Sequence, residues 1–292
     1  MKTKSILRRN EAWSGFLFTL PAILGMTVFF LIPFALSVYI SMTTGLNSTK
    51  FVGLKNYAEM LQNSTFQLAA WNTLRFILIA VPLIMIISLL IALLLYRRLR
   101  GHEFFRAAFI FPLVLPVASI ILFFQIIFNQ GGLINKVLSL IHVAPTDWLF
   151  SSHAFAVLVI LYIWKNCGYN IILFLAALNS VPKEYYEAAD LDTANGWTKL
   201  SRITLPLISQ PMFFILIISI TNTFKSFREA YILFRSYPNK TIYMIQHFIN
   251  NNFQNANYLR VATSAILIFL LIFVLVFVLL WIKNKKGGDL GS

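Results

Sequence analysis

Acidic residues are concentrated in one polar segment of an otherwise apolar chain. The segment KEYYEAADLDTANGW covers residues 183–197 and holds four of the ten acidic residues of the chain: Glu184, Glu187, Asp190 and Asp192. Carboxylates near the first turn of a helix interact favourably with its dipole. Pro182 suits that turn, because the amide hydrogen that proline lacks would have no helical partner there. The pattern predicts a short, negatively charged helix.

The same segment contains small side chains and a pair of residues that commonly ends a helix. Ala188 and Ala189 favour a helix and let another surface approach closely. Asn195-Gly196 predicts a stop for this helix, and residues 197–202 could form a second helical piece before Pro206 opens the next apolar run. Two interpretations remain open from the pattern: an interfacial helix that joins two spans, or a docking element for a partner protein.

A second group of polar and aromatic residues lies inside an apolar run: the segment WKNCGYN at residues 164–170. Polar groups at membrane depth are costly unless they line a water-accessible cavity or pair between helices. Hydrogen-bonding and stacking groups could bind a polar solute, and interhelical hydrogen bonding is the alternative for each of them. The candidate residues for a solute path are Gln125, Tyr162, Trp164, Lys165, Asn166, Tyr169, Asn170, Thr221 and Asn222.

The sequence contains no motif typical of a metal-binding, nucleotide-binding or catalytic site. The four histidines are scattered, Cys167 is the one cysteine, and no metal-binding spacing is found. No glycine-rich phosphate loop and no nucleophile motif occurs. The sequence therefore predicts no metal site, no catalytic residue and no nucleotide-binding site in this chain.

The composition is that of a membrane protein. The chain is 59% hydrophobic and 12% charged, whereas soluble domains carry about 25% charged residues. Apolar runs long enough to cross a bilayer predict an all-α polytopic protein with six transmembrane helices. The predicted spans are 13–42, 74–96, 107–128, 154–178, 206–224 and 261–282. Pro21 and Pro33 predict breaks in the first span.

The basic residues predict the orientation. Fourteen lysines and arginines lie on the side of both termini and of the segment 183–197, and six lie on the other side. The positive-inside rule places both termini and this segment in the cytoplasm. Because the charges flank apolar runs, the net charge of +14 does not indicate nucleic-acid binding. Helical spacing at 51–62 and 133–141 predicts short helices on the outer side.

None of the acidic residues lies deep within the six predicted runs, which argues against a carrier driven by protons. An energy source outside this chain is therefore expected. A free-standing secondary carrier or channel, and an integral membrane enzyme that acts on lipid or glycan, are the alternatives.

The polar segment resembles a known motif. EAADLDTANGWTKLSRITLP is similar to the Glu-Ala-Ala loop of the inner-membrane permease subunits of binding-protein-dependent ABC importers. Thr193 departs from the family pattern, which usually has glycine there, and we expect it to continue the helix to Asn195-Gly196. The resemblance implies that the loop couples the chain to an ATPase through Glu187, Ala188, Ala189, Asp192, Thr193, Ala194, Gly196, Ile203, Leu205 and Pro206.

Further stretches resemble the maltose-type first permease subunit of carbohydrate importers. They are FVGLKNY at 51–57, NTLRF at 72–76, FFRAAFIFPLVLP at 104–116 and LAALNSVPKEYYEAA at 175–189. The resemblance implies a type I importer permease in a bacterial-type inner membrane, transporting an oligosaccharide, sugar derivative or polyol. Its implied partners are a second permease, two ATPase subunits that bind ATP and Mg, a solute-binding protein and lipid.

The resemblance also implies a division of the chain. Residues 1–70 would form the N-terminal cytoplasmic segment, the first span and an outer loop. Residues 71–283 would form a five-helix permease core with the coupling loop 181–206, and residues 284–292 a cytoplasmic tail.

Overall fold

The computed structural model describes residues 15–45, 50–96, 102–192 and 195–287. Nearly all of these residues are helical. The helices are α1 (Gly15–Ser41), α2 (Lys55–Gln62), α3 (Ser64–Tyr96), α4 (His102–Val114), α5 (Val117–Phe128), α6 (Leu133–Leu140), α7 (Ala154–Asn179), α8 (Lys183–Leu191), α9 (Gly196–Leu207), α10 (Ser209–Lys225), α11 (Phe227–Phe234), α12 (Ile245–Gln254) and α13 (Tyr258–Gly287).

Five described helical segments are long and apolar enough to cross a membrane: Gly15–Ser41, Ser64–Tyr96, Val117–Leu140, Ala154–Asn179 and Tyr258–Trp281. A sixth candidate is the pair Gly196–Leu207 and Ser209–Phe234, which is bent by 72°. The predicted all-helical architecture with six spans is confirmed in this form. The predicted short helices at 51–62 and 133–141 are present as α2 and α6.

The predicted third span was wrong as a single helix. Residues 107–128 belong to two helices, α4 and α5, which are separated at Leu115 and Pro116. Pro116 has φ −57° and ψ 141°, an extended conformation directly before the first residue of α5. Proline cannot donate the helical hydrogen bond and its ring clashes with the preceding turn, so the helix ends here.

The first span, in contrast, is helical through both of its prolines, so the breaks predicted at Pro21 and Pro33 were wrong. Residues 27–31, just before Pro33, form a wider π-helical turn in which the Ile32 amide donates to the Thr27 carbonyl five residues earlier. A second π-helical turn, Leu200–Thr204, lies just before Pro206. Because proline has no amide hydrogen, one helical hydrogen bond is missing, and the wider turn before Pro33 lets the helix continue without that bond.

One compact unit of the fold is formed by residues 64–248. Its core lies along α3 and α7, where the ring of Phe76 packs edge-on against that of Tyr162 at 5.5 Å between centroids. Helix α4 crosses α7 at Gly168, where a β-carbon would lie 1.9 Å from the Phe109 carbonyl oxygen. Only glycine permits so close an approach of the two backbones.

The other compact unit combines residues 1–63 with residues 249–292. Within it, α1 packs along α13, with the rings of Phe34 and Phe269 5.0 Å apart. The Asn56 side chain donates hydrogen bonds to the carbonyl oxygens of Ser41 and Thr43, at 2.9 and 2.7 Å. These bonds fix α2 against the end of α1. The division at residues 70 and 283 that the resemblance implies stays a prediction.

Candidate functional site

A cavity of about 450 Å³ opens between α7 and α10, and several polar side chains lie in its lining; we refer to it as the polar cavity. Its lining combines residues from both helices with Leu113 at the end of α4. The lining residues are Leu113, Lys165, Asn166, Tyr169, Ile218, Thr221, Asn222, Lys225 and Ser226. Five of the nine residues predicted for a solute path therefore lie on one cavity.

Two charged side chains line this cavity, Lys165 and Lys225, and the ammonium of Lys165 forms an ion pair with the carboxylate of Glu229 on α11. The Lys165 side chain is 22% exposed, while that of Glu229 is 1% exposed. One carboxylate oxygen, Glu229 Oε2, has no hydrogen-bond partner among the described residues. A buried carboxylate is strongly destabilising without a cation beside it, so this pair holds the lysine in place.

The sequence analysis did not identify Glu229 as a buried acidic residue, because the predicted fifth span ends at residue 224. In the structure the apolar region continues through α11, where Ala230 and Leu233 are buried in the core. The expectation that no acidic residue lies deep in the apolar runs is corrected by this buried carboxylate. The available signal was Lys165 itself, since a lysine within an apolar run requires a counter-charge.

Two of the predicted path residues instead connect helices. Tyr162 is fully buried, and its hydroxyl donates to the carbonyl oxygen of Ser219 on α10 at 2.6 Å. Asn170 is also fully buried and donates to the Ser219 hydroxyl at 2.8 Å. The structure thus places both side chains in the interhelical hydrogen bonds that were the alternative interpretation.

The remaining two residues lie apart from the lining of the cavity. Trp164 stacks on Phe123 of α5, with ring centroids 5.5 Å apart and planes inclined by 19°. Gln125 is half-buried on the same helix, α5. Trp164 therefore packs α7 against α5.

The predicted acidic helix is present as α8, and it has no buried residue. Glu187 and Ala188 are exposed, and Ala189 is half-buried. Among the described residues, two polar contacts attach the helix to α9: an ion pair of Asp190 with Lys199, and the hydroxyls of Tyr186 and Thr204, which lie 3.0 Å apart. An exposed helix held by so few contacts is available to a second protein.

The end of this helix differs from the prediction. Helix α8 ends at Leu191, and Asp192 follows in a turn with φ −81° and ψ 12°. The Asn195-Gly196 pair does not stop the helix but starts the next one, because the Asn195 side chain accepts a hydrogen bond from the Thr198 amide at 2.8 Å. Asparagine is strongly favoured as the N-cap residue of a helix, and Asn195 therefore caps α9 instead of ending α8. Thr193 and Ala194 lie outside the described residues.

The rest of the segment forms the continuous helix α9. Gly196 is its first residue, Ile203 lies in the π-helical turn, and Leu205 and Pro206 lie at its end. Pro206 therefore lies at the end of α9. The prediction that it opens the next span was wrong, because that span begins at Ser209, after a turn at Ile208. The break is sharp, with the two parts inclined by 72°.

An apolar cavity of about 530 Å³ lies beneath α8 and α9. Its walls are leucines of α3, Leu178 of α7, and Tyr186 and Lys199 from the two short helices. Because side chains of the described residues do not fill this space, the described parts of α8 and α9 are not tightly packed on the spans.

Comparison with protein families gives one match that covers most of the chain. Residues 84–286 match the model of a family described as "binding-protein-dependent transport system inner membrane component". The matched region includes the polar cavity and the helices α8 and α9.

Several curated proteins are similar in sequence. The arabinooligosaccharides transport system permease protein AraP of Bacillus subtilis is 36% identical over 227 residues, which cover 76% of this chain and 72% of that protein. The trehalose/maltose transport system permease protein MalF of Thermococcus litoralis is 31% identical over 271 residues, covering 91% and 92% of the two chains.

A solved structure shares the fold. It is a crystal structure of a bacterial ABC transporter involved in the import of the acidic polysaccharide alginate. The two chains align with a TM-score of 0.80 over 98% of this chain and 99% of the other, at 20% sequence identity. This chain therefore shares the fold of that chain.

Proposed function

The chain belongs to the family of binding-protein-dependent transport system inner membrane components, and on this basis we propose that it is a permease subunit of an ATP-driven importer for an oligosaccharide, a sugar derivative or a polyol. The similar proteins named as permeases for arabinooligosaccharides and for trehalose and maltose support this substrate class. With a second permease it forms the translocation pathway.

The observation that carries the proposal is the polar cavity between apolar helices. Lys165, Asn166, Tyr169, Thr221 and Asn222 present hydrogen-bonding groups and an aromatic face within about 450 Å³. Sugars require hydrogen-bonding partners, and polar groups at membrane depth are retained where they line a path for a polar solute. These five residues form the part of the path that this chain contributes.

Energy comes from two partner ATPase subunits, which bind ATP and Mg. Helix α8 is the element that contacts them, with Glu187 as a polar anchor and Ala188 and Ala189 permitting close approach. Its exposure and the small number of its contacts to the rest of the chain support this role. The chain has both termini in the cytoplasm, lies in a bacterial-type inner membrane, and receives its solute from an extracytoplasmic binding protein.

Reconstitution tests the proposal. The chain is co-expressed with a candidate second permease, ATPase and binding protein from the same organism, and the uptake of labelled maltotriose and arabinotriose into vesicles is measured. We expect uptake of at least one sugar, dependent on ATP hydrolysis and on the binding protein. Replacing ATP with a non-hydrolysable analogue is the control. Uptake by the purified chain alone, driven by a proton gradient, would contradict the proposal and favour a secondary carrier.

A further inference from the structure

We propose that Glu229 is a positioning residue that holds the Lys165 ammonium in the cavity, and that this pair makes the site selective for an uncharged, hydroxyl-rich saccharide over an acidic one. The inference rests on the proposed function, since it concerns the same translocation path. Its basis is the ion pair between α7 and α11, which the sequence did not reveal.

The ammonium of Lys165 has more hydrogen-bond donors than it has partners among the described residues. A lysine ammonium carries three N–H groups, and among the described residues one partner for them is found, Glu229 Oε1. Because Lys165 lines the cavity and its side chain is 22% exposed, the other N–H groups can reach a bound solute. Lysine is long and flexible, so a fixed carboxylate is needed to keep its donor in one place.

Glu229 can act in this way because it is itself fixed. It is 1% exposed on α11, beside the buried Ala230 and five residues before the end of the helix at Phe234. It does not line the cavity, so it acts on the solute through Lys165 and not by direct contact. A buried carboxylate whose second oxygen has no described partner strongly favours retention of the ammonium beside it.

The neighbouring groups complement a saccharide hydroxyl. Asn166 donates its amide hydrogen to the Tyr162 carbonyl at 2.9 Å, which leaves its side-chain oxygen as an acceptor. Thr221 donates to the Ile217 carbonyl at 2.9 Å and likewise keeps acceptor capacity. Since a hydroxyl both donates and accepts, it can bond to Lys165 on one side and to these oxygens on the other.

Charge compensation sets the selectivity. The Glu229 carboxylate neutralises Lys165, and the other polar lining groups are uncharged apart from the exposed Lys225. If the carboxylate were removed, two uncompensated ammonium groups would face the cavity. The site would then attract a carboxylate-bearing sugar more strongly than the native site does.

The test uses the assembled transporter, with ATP-dependent uptake of maltotriose and of trigalacturonic acid as the neutral and acidic probes. The variants are Glu229→Gln, Lys165→Met and the double variant that carries both changes. Glu103→Gln is the matched control, because it removes an exposed carboxylate from α4. Stimulation of ATP hydrolysis by the binding protein is recorded for every variant.

We expect Glu229→Gln to raise the KM for maltotriose about tenfold, the effect of losing one well-placed charged hydrogen bond. The maximal rate should stay close to that of the native transporter, and the uptake ratio of trigalacturonic acid to maltotriose should rise. The double variant should assemble normally, since no charge is left unpaired, but should retain the raised KM. Glu103→Gln should match the native transporter.

A purely structural pair gives a different result. In that case the double variant recovers the native KM, because neutral side chains fill the same space without an unpaired charge. That recovery, or an unchanged probe ratio in a well-assembled Glu229→Gln transporter, would overturn the inference. If the native transporter and Glu103→Gln show neither uptake nor stimulated ATP hydrolysis, the proposed function itself fails.

Discussion

Individual residues of this protein take their roles from their surroundings. Tyr162, Lys165 and Asn170 lie close together on α7, yet Lys165 lines a cavity while the other two are buried against α10. Successive residues of a helix point about 100° apart, so a cluster in sequence is divided among different neighbours. Residue-level predictions therefore have to be made from the contacts of each side chain.

Glu187 is predicted to transmit the action of the ATPase. Glu187→Lys reverses the charge of an exposed side chain in α8. In the assembled transporter we expect binding-protein-stimulated ATP hydrolysis and uptake to fall at least about tenfold, because a reversed charge at a protein interface is repelled. Membrane insertion of the chain should be unchanged, as measured by its amount in the membrane fraction.

Glu184→Lys is the matched control, since it makes the same charge change on the same exposed helix. It should cause a smaller loss than Glu187→Lys. Equal losses would mean that the net charge of α8 matters and that Glu187 has no special role.

His247 is predicted to make stability depend on pH. It is fully buried in α12, with Nδ1 3.3 Å from the Met244 amide, and burial lowers the pKa of its imidazole from 6.5 to about 4. Below about pH 6.5 the unfolded chain binds a proton that the folded chain does not, so stability falls as the pH drops toward 4. The full loss is on the order of 3 kcal/mol.

The measurement is the thermal unfolding midpoint of the detergent-solubilised protein at about pH 7.5 and about pH 4.5. The drop between the two should be smaller for His247→Gln than for the native chain. His153→Gln changes an exposed histidine and should leave the drop unaltered. An equal drop in all three proteins would rule out His247 as the titrating group.

At the scale of elements, prolines decide where helices bend and where they end. Pro33 and Pro206 are both preceded by π-helical turns; α1 continues through Pro33, whereas α9 ends one residue after Pro206. Pro116 instead separates α4 from α5. Helices also continue through Pro82 and Pro112, whereas the backbone of Pro116 is extended and therefore separates two helices. Composition does not distinguish the two outcomes.

The crossing of α4 over α7 is predicted to depend on Gly168. In Gly168→Ala the new β-carbon would lie 1.9 Å from the Phe109 carbonyl oxygen, so α4 must move away from α7. We expect a loss of about 1–3 kcal/mol in stability, typical of overpacking. The thermal unfolding midpoint measures it.

Gly25→Ala provides the control for this change of size, because no atom of the described residues outside its own stretch of helix lies within 4 Å of the position of its β-carbon. Gly25 lies inside α1, where alanine favours the helix, so its unfolding midpoint should not fall. If both variants unfolded at the same temperature, the close contact at Gly168 would have no energetic role.

At the scale of the whole molecule, the topology is predicted from the distribution of basic residues. Fourteen lysines and arginines flank the spans on the side of the termini, and six lie on the other side. We expect a green fluorescent reporter at the C-terminus to fluoresce and an alkaline phosphatase reporter there to be inactive. The reverse pattern is expected for reporters fused after residue 50, beyond the first span. Active phosphatase at the C-terminus would show that the orientation is inverted.

The sequence by itself determined the class of the protein: its apolar runs, its basic flanks and the Glu-Ala-Ala loop predict a membrane-spanning permease with a short exposed helix. These features depend on local composition and on spacing along the chain. The tertiary structure decided which polar residues meet. Lys165 and Glu229 are 64 positions apart, and their pairing depends on how α7 and α11 pack. The same holds for the break at Pro116 and for the start of α9 at Asn195, where competing local preferences were resolved by the surrounding fold.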